Sequence, residues 1–556
     1  MRLPLFLFLL FPLLTHAQQP SWQTAVAVAA ATATDFSAVT ATAIDGPNVY
    51  LAGTFSGTVR FGSISLTSAG SWNPFVAKWN SASGQFVWAL QAGGVQGATA
   101  SDIAVSGTNI YLAGTFSGAT ASFGSLILTK PASPPDAFVA KLTDAGPSAT
   151  FTWAQRVGGN RDDYAGALAV QGQDVYLAGT FASPTADFGP FTLTTINPTP
   201  GSGNAFLTKL RDTGPSSTFI WAQRVGGTGT DFGLAVAVSG TNIYLAGHST
   251  SPAVGTALSH GDTDALLAKF TDAGATASLS WAMLLGGPGG EAARALAVEG
   301  SNLYVAGVFN SATTSFGTHT LTNAAPNTTD AFVIKLADTG PQAVVRWAQR
   351  AGGSDWDGAN ALAVNGTNIY VSGNLVNYTG TLGTTRLVSA GGSDAFVAKL
   401  ADDTGQFVWA QQAGGAGDDS SQALAVYNNL IYVVGSLLPP ATIGGQVLTG
   451  AATGSGFVAK LVDNARVLAA APAHRARGVD LYPNPARGPV TVVLESNAAP
   501  AALQLQDALG RVVRRFVLAA GAPPQLVLET AGLAPGVYTL QWVEQGQARV
   551  KRVVLE

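Results

Sequence analysis

The sequence predicts an all-β protein: a seven-bladed β-propeller with N-terminal strand closure, plus a small C-terminal Ig-like β-sandwich. Three observations predict it. A phrase ending in a tyrosine strand recurs at Tyr50, Tyr111, Tyr176, Tyr244, Tyr304, Tyr370 and Tyr432. A tryptophan strand that should end every repeat is missing from the last one and surplus at the front of the chain. Beyond the repeats the pattern changes to short strands of alternating polarity that run to the C-terminus. Composition agrees. The 556 residues include 66 glycines, no cysteine and only 11% charged side chains, a profile of tight turns and short strands.

Residues 1–17, MRLPLFLFLLFPLLTHA, read as a signal peptide. Arg2 supplies the positive start, Leu3 to Leu14 the apolar stretch, and Thr15 and Ala17 the small residues flanking a cleavage site after Ala17. Twelve apolar residues broken by Pro4 and Pro12 are too few to span a bilayer, so the mature chain is expected to carry no transmembrane segment. Without cysteine, an exported protein takes its stability from its core. A net charge of −4 with no dense Lys/Arg cluster argues against nucleic acid as a partner.

Residues 18–461 hold the repeats. Each begins with a small-residue strand such as ALAV, turns at Gly-x-Asn, and continues through the tyrosine strand. A DAFVAKL-like phrase follows, placing Lys78, Lys141, Lys209, Lys269, Lys335, Lys399 and Lys460. The repeat ends on F-x-W-A-Q, with Trp88, Trp153, Trp221, Trp281, Trp347 and Trp409. Four strands per repeat are expected, with the Ala/Val strand innermost, where converging sheets leave room only for small side chains. The seventh tryptophan is Trp22. Its strand completes the sheet that Phe457 to Leu461 leaves open, which removes both free edges.

The spacings locate the variation. Tryptophan to the next tyrosine is 23 residues in every repeat but the first, whereas tyrosine to lysine ranges from 25 to 33. Differences therefore fall between the second and third strands, on the face shared with the sheet-to-sheet crossovers. Ligands use loops on a rigid scaffold, so that face is the expected binding face. The repeats resemble the SBBP-type β-propeller repeats of bacterial proteins. The Gly-His and Trp-Asp pairs of WD40 repeats do not recur from repeat to repeat, and the glycine placement of kelch repeats and the sialidase Asp box are missing.

Residues 462–478 read as a linker and residues 479–556 as the sandwich. Four landmarks mark the latter: Tyr482-Pro483-Asn484-Pro485, Asp507 to Gly510, Gly536 with Tyr538, and the terminal stretch from Lys551. Together they resemble the type A C-terminal sorting domain of the type IX secretion system of Bacteroidota. The resemblance implies passage across the outer membrane through the type IX machinery, removal of the tag, and release or attachment at the cell surface.

Candidate chemistry is sparse. An acidic residue recurs nine positions before the turn glycine or its equivalent: Asp163, Asp231, Glu291, Asp357 and Asp419. One reading is a ring of ligand-face carboxylates for a cation or sugar hydroxyls. The other is that each accepts N–H bonds from a glycine-rich loop, which recurrence in five repeats favours. The acidic pairs Asp162-Asp163, Asp355 with Asp357, and Asp418-Asp419 hint weakly at calcium, but none completes a calcium loop. His248, His260, His319 and His474 are isolated, and no nucleophile elbow is present. No other cofactor, no metal centre and no catalytic residue is expected. The functional expectation is a non-enzymatic binding or adhesion module for a glycan or a surface protein. The alternatives are a polysaccharide hydrolase or lyase and a structural surface component.

Overall fold

The computed structural model describes residues 20–130, 134–383, 385–450, 453–464, 479–482, 489–494, 502–507, 511–517, 525–534, 536–544 and 547–555. The signal segment with Ala17, linker residues 465–478, and Pro483, Asn484, Pro485 and Gly510 lie outside the described residues. Strands, turns and bends make up the described chain, with no helix among them. It divides into two compact units, one of Gln19–Asn464 and one containing Ala465–Glu556.

In the larger unit one antiparallel four-stranded sheet is built repeatedly. The first strands are Phe36–Asp45, Ala98–Ser106, Asp163–Gln171, Asp231–Ser239, Glu291–Glu299, Gly358–Asn365 and Ser420–Tyr427, and the sheets they begin are numbered one to seven below. Sheet three runs Asp163–Gln171, Asp174–Phe181, Asn204–Asp212, Ser217–Val225, each strand beside the next. Gly172, at φ 64°, makes the tight turn that sets Gln171 opposite Asp174. The first strand of each sheet packs against the first strand of the next, and that of sheet seven against that of sheet one. This mutual packing is why the strand is written in alanine and valine. The unit is all-β and propeller-like.

Ser21–Ala30 pairs with Ser455–Val462, setting Trp22 opposite Leu461 and Val26 opposite Val458. It thereby supplies the outer strand of sheet seven from the other end of the chain. Trp22 is only half-buried, whereas the six internal tryptophans are buried.

Each repeat holds more than the four strands expected. Between the second and third strands lies a two-strand hairpin, Thr185–Phe188 with Phe191–Thr194 in sheet three. The hairpin reaches back to the outer strand of the preceding sheet: Gly158 bridges Asp187, Gly93 bridges Ser122 and Gly414 pairs with Thr442. In four repeats its turn follows a phenylalanine, and in the others Val254, Leu382 or Ile443 takes that place. Phe61, Phe123 and Phe188 are wholly buried, edge-on to Phe75, Phe138 and Phe206 at 4.9, 4.8 and 4.9 Å.

The tyrosine, lysine and tryptophan rows converge on one further residue. Tyr50 Oη donates to Asp144 Oδ2 at 2.7 Å, Lys78 Nζ to the same oxygen at 2.7 Å, and Trp88 Nε1 to Oδ1 at 3.2 Å. Asp144 belongs to the next sheet, so the three donors latch one sheet to its neighbour. Asp212 receives Tyr111, Lys141 and Trp153 in the same way, and Asp272 receives Tyr176, Lys209 and Trp221. Asp338, Asp402 and Asp463 each take a tyrosine and a lysine. At the closing seam Ser81 stands in for the carboxylate. Tyr432 Oη lies 2.9 Å from Ser81 Oγ, and Lys460 Nζ donates to the Ser81 carbonyl at 2.9 Å.

In the smaller unit Val479–Tyr482, Val490–Leu494 and Gln525–Leu528 form one sheet. Val512–Val517, Ala502–Gln506, Gly536–Glu544 and Gln547–Leu555, in that spatial order, form another. Val492 and Leu528 from the first share a core with Leu503, Leu505 and Leu540 from the second. The landmarks have structural duties. Asp507 accepts bonds from the Arg511 backbone N–H and guanidinium, and Tyr538 Oη donates to the Ala534 carbonyl at 2.7 Å. Tyr482 ends the first strand opposite Thr491, Gly536 opens the Tyr538 strand, and Lys551 sits opposite Leu540.

Candidate functional site

The five recurring acids occupy equivalent places at or beside the start of the first strands, and each is fully or almost fully buried. Asp163 accepts the Gly159 N–H at 2.7 Å, the Ser183 hydroxyl at 2.7 Å and the Ser183 N–H at 3.2 Å. Asp231 takes the Gly227 N–H at 2.9 Å and Asn204 Nδ2 at 3.0 Å, and Glu291 takes the Gly287 N–H at 2.8 Å. Asp357 accepts from Gly353 and Val376 N–H groups, and Asp419 from Gly415 and Leu438 N–H groups. Each thus ties the crossover loop to the first strand. Burial pushes the Asp163 and Asp357 carboxyls up to about 6 against these donors.

These donors take up lone pairs that a cation would otherwise use. Asp355 accepts from Asn377 Nδ2 at 3.0 Å and Asp418 from the Ser393 N–H at 3.2 Å. Among the described residues no three His, Asp or Glu side chains gather as metal ligands.

The crossovers, the starts of the first and third strands and the ends of the second all lie on one face, the one marked variable by the spacing. A cleft of about 300 Å³ opens there between sheets three and four. Arg161, Asp162, Tyr164, Thr180, Thr230 and Phe232 line it, with Pro134 and the loop 200–203 at its sides. The strand register explains its position. Tyr164 stands opposite Thr180 and Phe232 opposite His248. The matching residues in the other sheets are Ala38, Thr99, Ala292, Gly358 and Ser420. Only sheets three and four carry an aromatic ring at this position, and the cleft lies between them.

Tyr164 is 41% exposed despite its ring. Burial, then the Asp162 carboxylate, raises its phenol, so the hydroxyl remains a proton donor at neutral pH. Trp72 and Trp356 are exposed on the same face, where Trp72 stands edge-on to Phe36 at 5.1 Å. An apolar wall with a few converging polar groups is the usual make-up of a small-molecule site.

His248 stacks on Phe232 with ring centroids 4.4 Å apart and planes 23° off parallel. Its counterparts opposite the other first strands are Thr54, Thr115, Thr180, Val308, Asn374 and Ser436. Burial lowers its pKa, and the Arg294 charge lowers it further, so the imidazole is neutral at pH 7. The sequence reading passes over the aromatic pair and sets His248 aside as isolated. The signal was available: with the repeats aligned on the turn glycine, they are the residues that break the pattern.

Residues 480–556 match the family model of a secretion system C-terminal sorting domain, and the protein is secreted or attached at the cell surface. No helix among the described residues is long and apolar enough to cross a membrane. No curated protein matches the chain. Among solved structures it is similar to the quinohemoprotein alcohol dehydrogenase ADHIIG of Pseudomonas putida HK5, at 11% identity and TM-score 0.36, over 84% of this chain and 79% of that one. Trypanosoma rangeli sialidase matches at 9% identity and TM-score 0.34, over 93% of this chain and 83% of the other. Sqt1 from Chaetomium thermophilum matches at 9% identity and TM-score 0.37, over 77% and 87%.

Proposed function

We propose that this chain is an exported seven-bladed β-propeller of SBBP type that binds a glycan without turning it over. A C-terminal type IX sorting sandwich of Ig-like build, of the Bacteroidota kind, delivers it. Support for the ring comes from first strands packing in an unbroken cycle and from the Trp22–Leu461 pairing. Support for the Ig-like build comes from two sheets over one core and the Tyr538–Ala534 hydrogen bond, which has the form of a tyrosine corner.

The observation that carries the binding reading is the cleft between Tyr164 and Phe232, an aromatic wall beside hydroxyl and charged groups on the variable face. Sugar rings present just this mixture, an apolar ring face edged by hydroxyls. The non-enzymatic part rests on the lining, which holds a single carboxylate, Asp162, where glycoside cleavage uses two. The recurring acids are sealed under N–H donors rather than turned to the cleft.

The test is a glycan array with the full-length chain, followed by calorimetry on the best ligand and on Tyr164→Ala. Affinity should fall at least tenfold in the variant at unchanged melting temperature, and no new reducing ends should appear. Unaltered affinity in Tyr164→Ala, or steady release of reducing sugar, would overturn the reading.

A further inference from the structure

The first strands carry a one-residue bulge, seen as a register skip between Ala293 and Ala295 in sheet five. The bulged residues of the seven sheets are Thr40, Ser101, Gly166, Leu234, Arg294, Asn360 and Gln422. Six are neutral and one is a cation. Arg294 is exposed to solvent, although it sits on a first strand where seven sheets converge. Its Nη1 donates to Asn360 Oδ1 at 2.8 Å and lies beside the bare backbone of Gly358, where a Cβ would meet it at 3.2 Å. Among the described residues no carboxylate lies within ion-pair distance of it. Burial lowers its pKa, and no nearby acid offsets that loss.

An exposed guanidinium without a counter-charge is open to an incoming anion. Its planar fork suits a carboxylate or sulfate, which it can hold through two parallel bonds. Arg294 also belongs to the cleft's surroundings. Its charge acts on His248, His248 stacks on Phe232, and Phe232 lines the cleft. The departures from the repeat at Tyr164, Phe232, His248 and Arg294 therefore fall on consecutive sheets, three to five, and on one face.

We propose that Arg294 receives the anionic group of an acidic glycan whose neighbouring sugar stacks on the Tyr164–Phe232 wall. This rests on the glycan reading above and narrows it to sugars bearing a carboxylate or a sulfate ester. Asn360 holds the guanidinium in place, and His248, stacked on Phe232 and neutral, does not compete for the anion.

The experiment is calorimetry on the full-length chain and on Arg294→Gln, with three hexasaccharides: an oligogalacturonate, a sulfated oligosaccharide and a neutral oligoglucoside. Wild type should prefer a charged probe to the neutral one by at least tenfold, and the two charged probes separate carboxylate from sulfate. Arg294→Gln should lose that preference, keep its neutral-sugar affinity and melt as wild type does. Arg294→Lys should recover part of it. A charged-sugar preference that survives in Arg294→Gln, or Tyr164-dependent binding without any charge preference, overturns this inference and leaves the glycan reading standing. Binding to none of the probes, with silence on the array, overturns both.

Discussion

Asp144→Ala removes the acceptor that joins sheets one and two. Its oxygens take the Tyr50 hydroxyl, the Lys78 ammonium and the Trp88 indole N–H, all from buried side chains. Burial alone would raise the Asp144 carboxyl. The Lys78, Tyr50, Gly146 and Trp88 donors outweigh it and hold the group below its ordinary value. Breaking a buried pair by removing one partner costs roughly 3–5 kcal/mol, because the other charge stays behind. A stranded buried hydroxyl adds about 1 kcal/mol or more. Lys78 keeps one partner, the Gly146 carbonyl at 3.3 Å, which offsets part of the loss. The expected destabilisation is about 4 kcal/mol. Scaled to a unit of this size, that is a drop of about 4 °C in melting temperature. Differential scanning calorimetry reads it. Adding Lys78→Met should restore more than half of the loss, since the stranded charge is then gone. A single variant within about 0.5 kcal/mol of wild type, or a double variant no better than the single, refutes the latch as an energetic element.

The closing seam should respond in the opposite sense. Ser81→Asp gives Lys460 and Tyr432 the carboxylate that every other seam has, and should stabilise by about 1–2 kcal/mol in urea unfolding; a destabilised variant would count against the equivalence of the seven seams. Stability should also rise on mild acidification. The Asp163 and Asp357 carboxyls titrate near 6 in the folded chain, above their unfolded value, so their contribution is full below about pH 4 and lost as pH rises through 6. Glu291 and Asp419 shift in the same direction. From pH 7.5 to 5 the gain should be about 1 kcal/mol for each of Asp163 and Asp357, read as a higher melting temperature. Asp144, Asp212, Asp272 and Asp338 have lowered values, so their stability is present above the unfolded pKa and fails as pH falls through the folded one. A sharp loss should follow below about pH 3; a melting temperature that instead falls steadily from pH 7.5 to 5 would contradict the assignment.

Much of this architecture was legible because the same physical demand recurs. The tyrosine, lysine and tryptophan rows stand out since each fills the same inter-sheet space in every repeat. The order of the four strands followed from side-chain size, and closure from the unmatched Trp22. Asp144 and its equivalents stay hidden although Asp144, Asp212, Asp272 and Asp338 recur as D-A-G or D-T-G, because each serves the preceding repeat rather than its own. In the sequence the docking hairpins show only as loop length. The Phe-Gly turns of four of them, such as Phe123-Gly124 and Phe188-Gly189, are the available sign. The cleft was harder for the opposite reason: Tyr164, Phe232, His248 and Arg294 matter by differing from the pattern, and a repeat search averages such residues away.

The larger unit depends on its two ends zipping together. Cysteines at Val26 and Val458, which face each other across that pairing in a chain with no cysteine of its own, test it directly. Under air oxidation the full-length Val26→Cys/Val458→Cys protein should form one intramolecular disulfide, identified by peptide mass spectrometry, with a raised melting temperature. Free thiols, or only intermolecular links between folded chains, would contradict the closure.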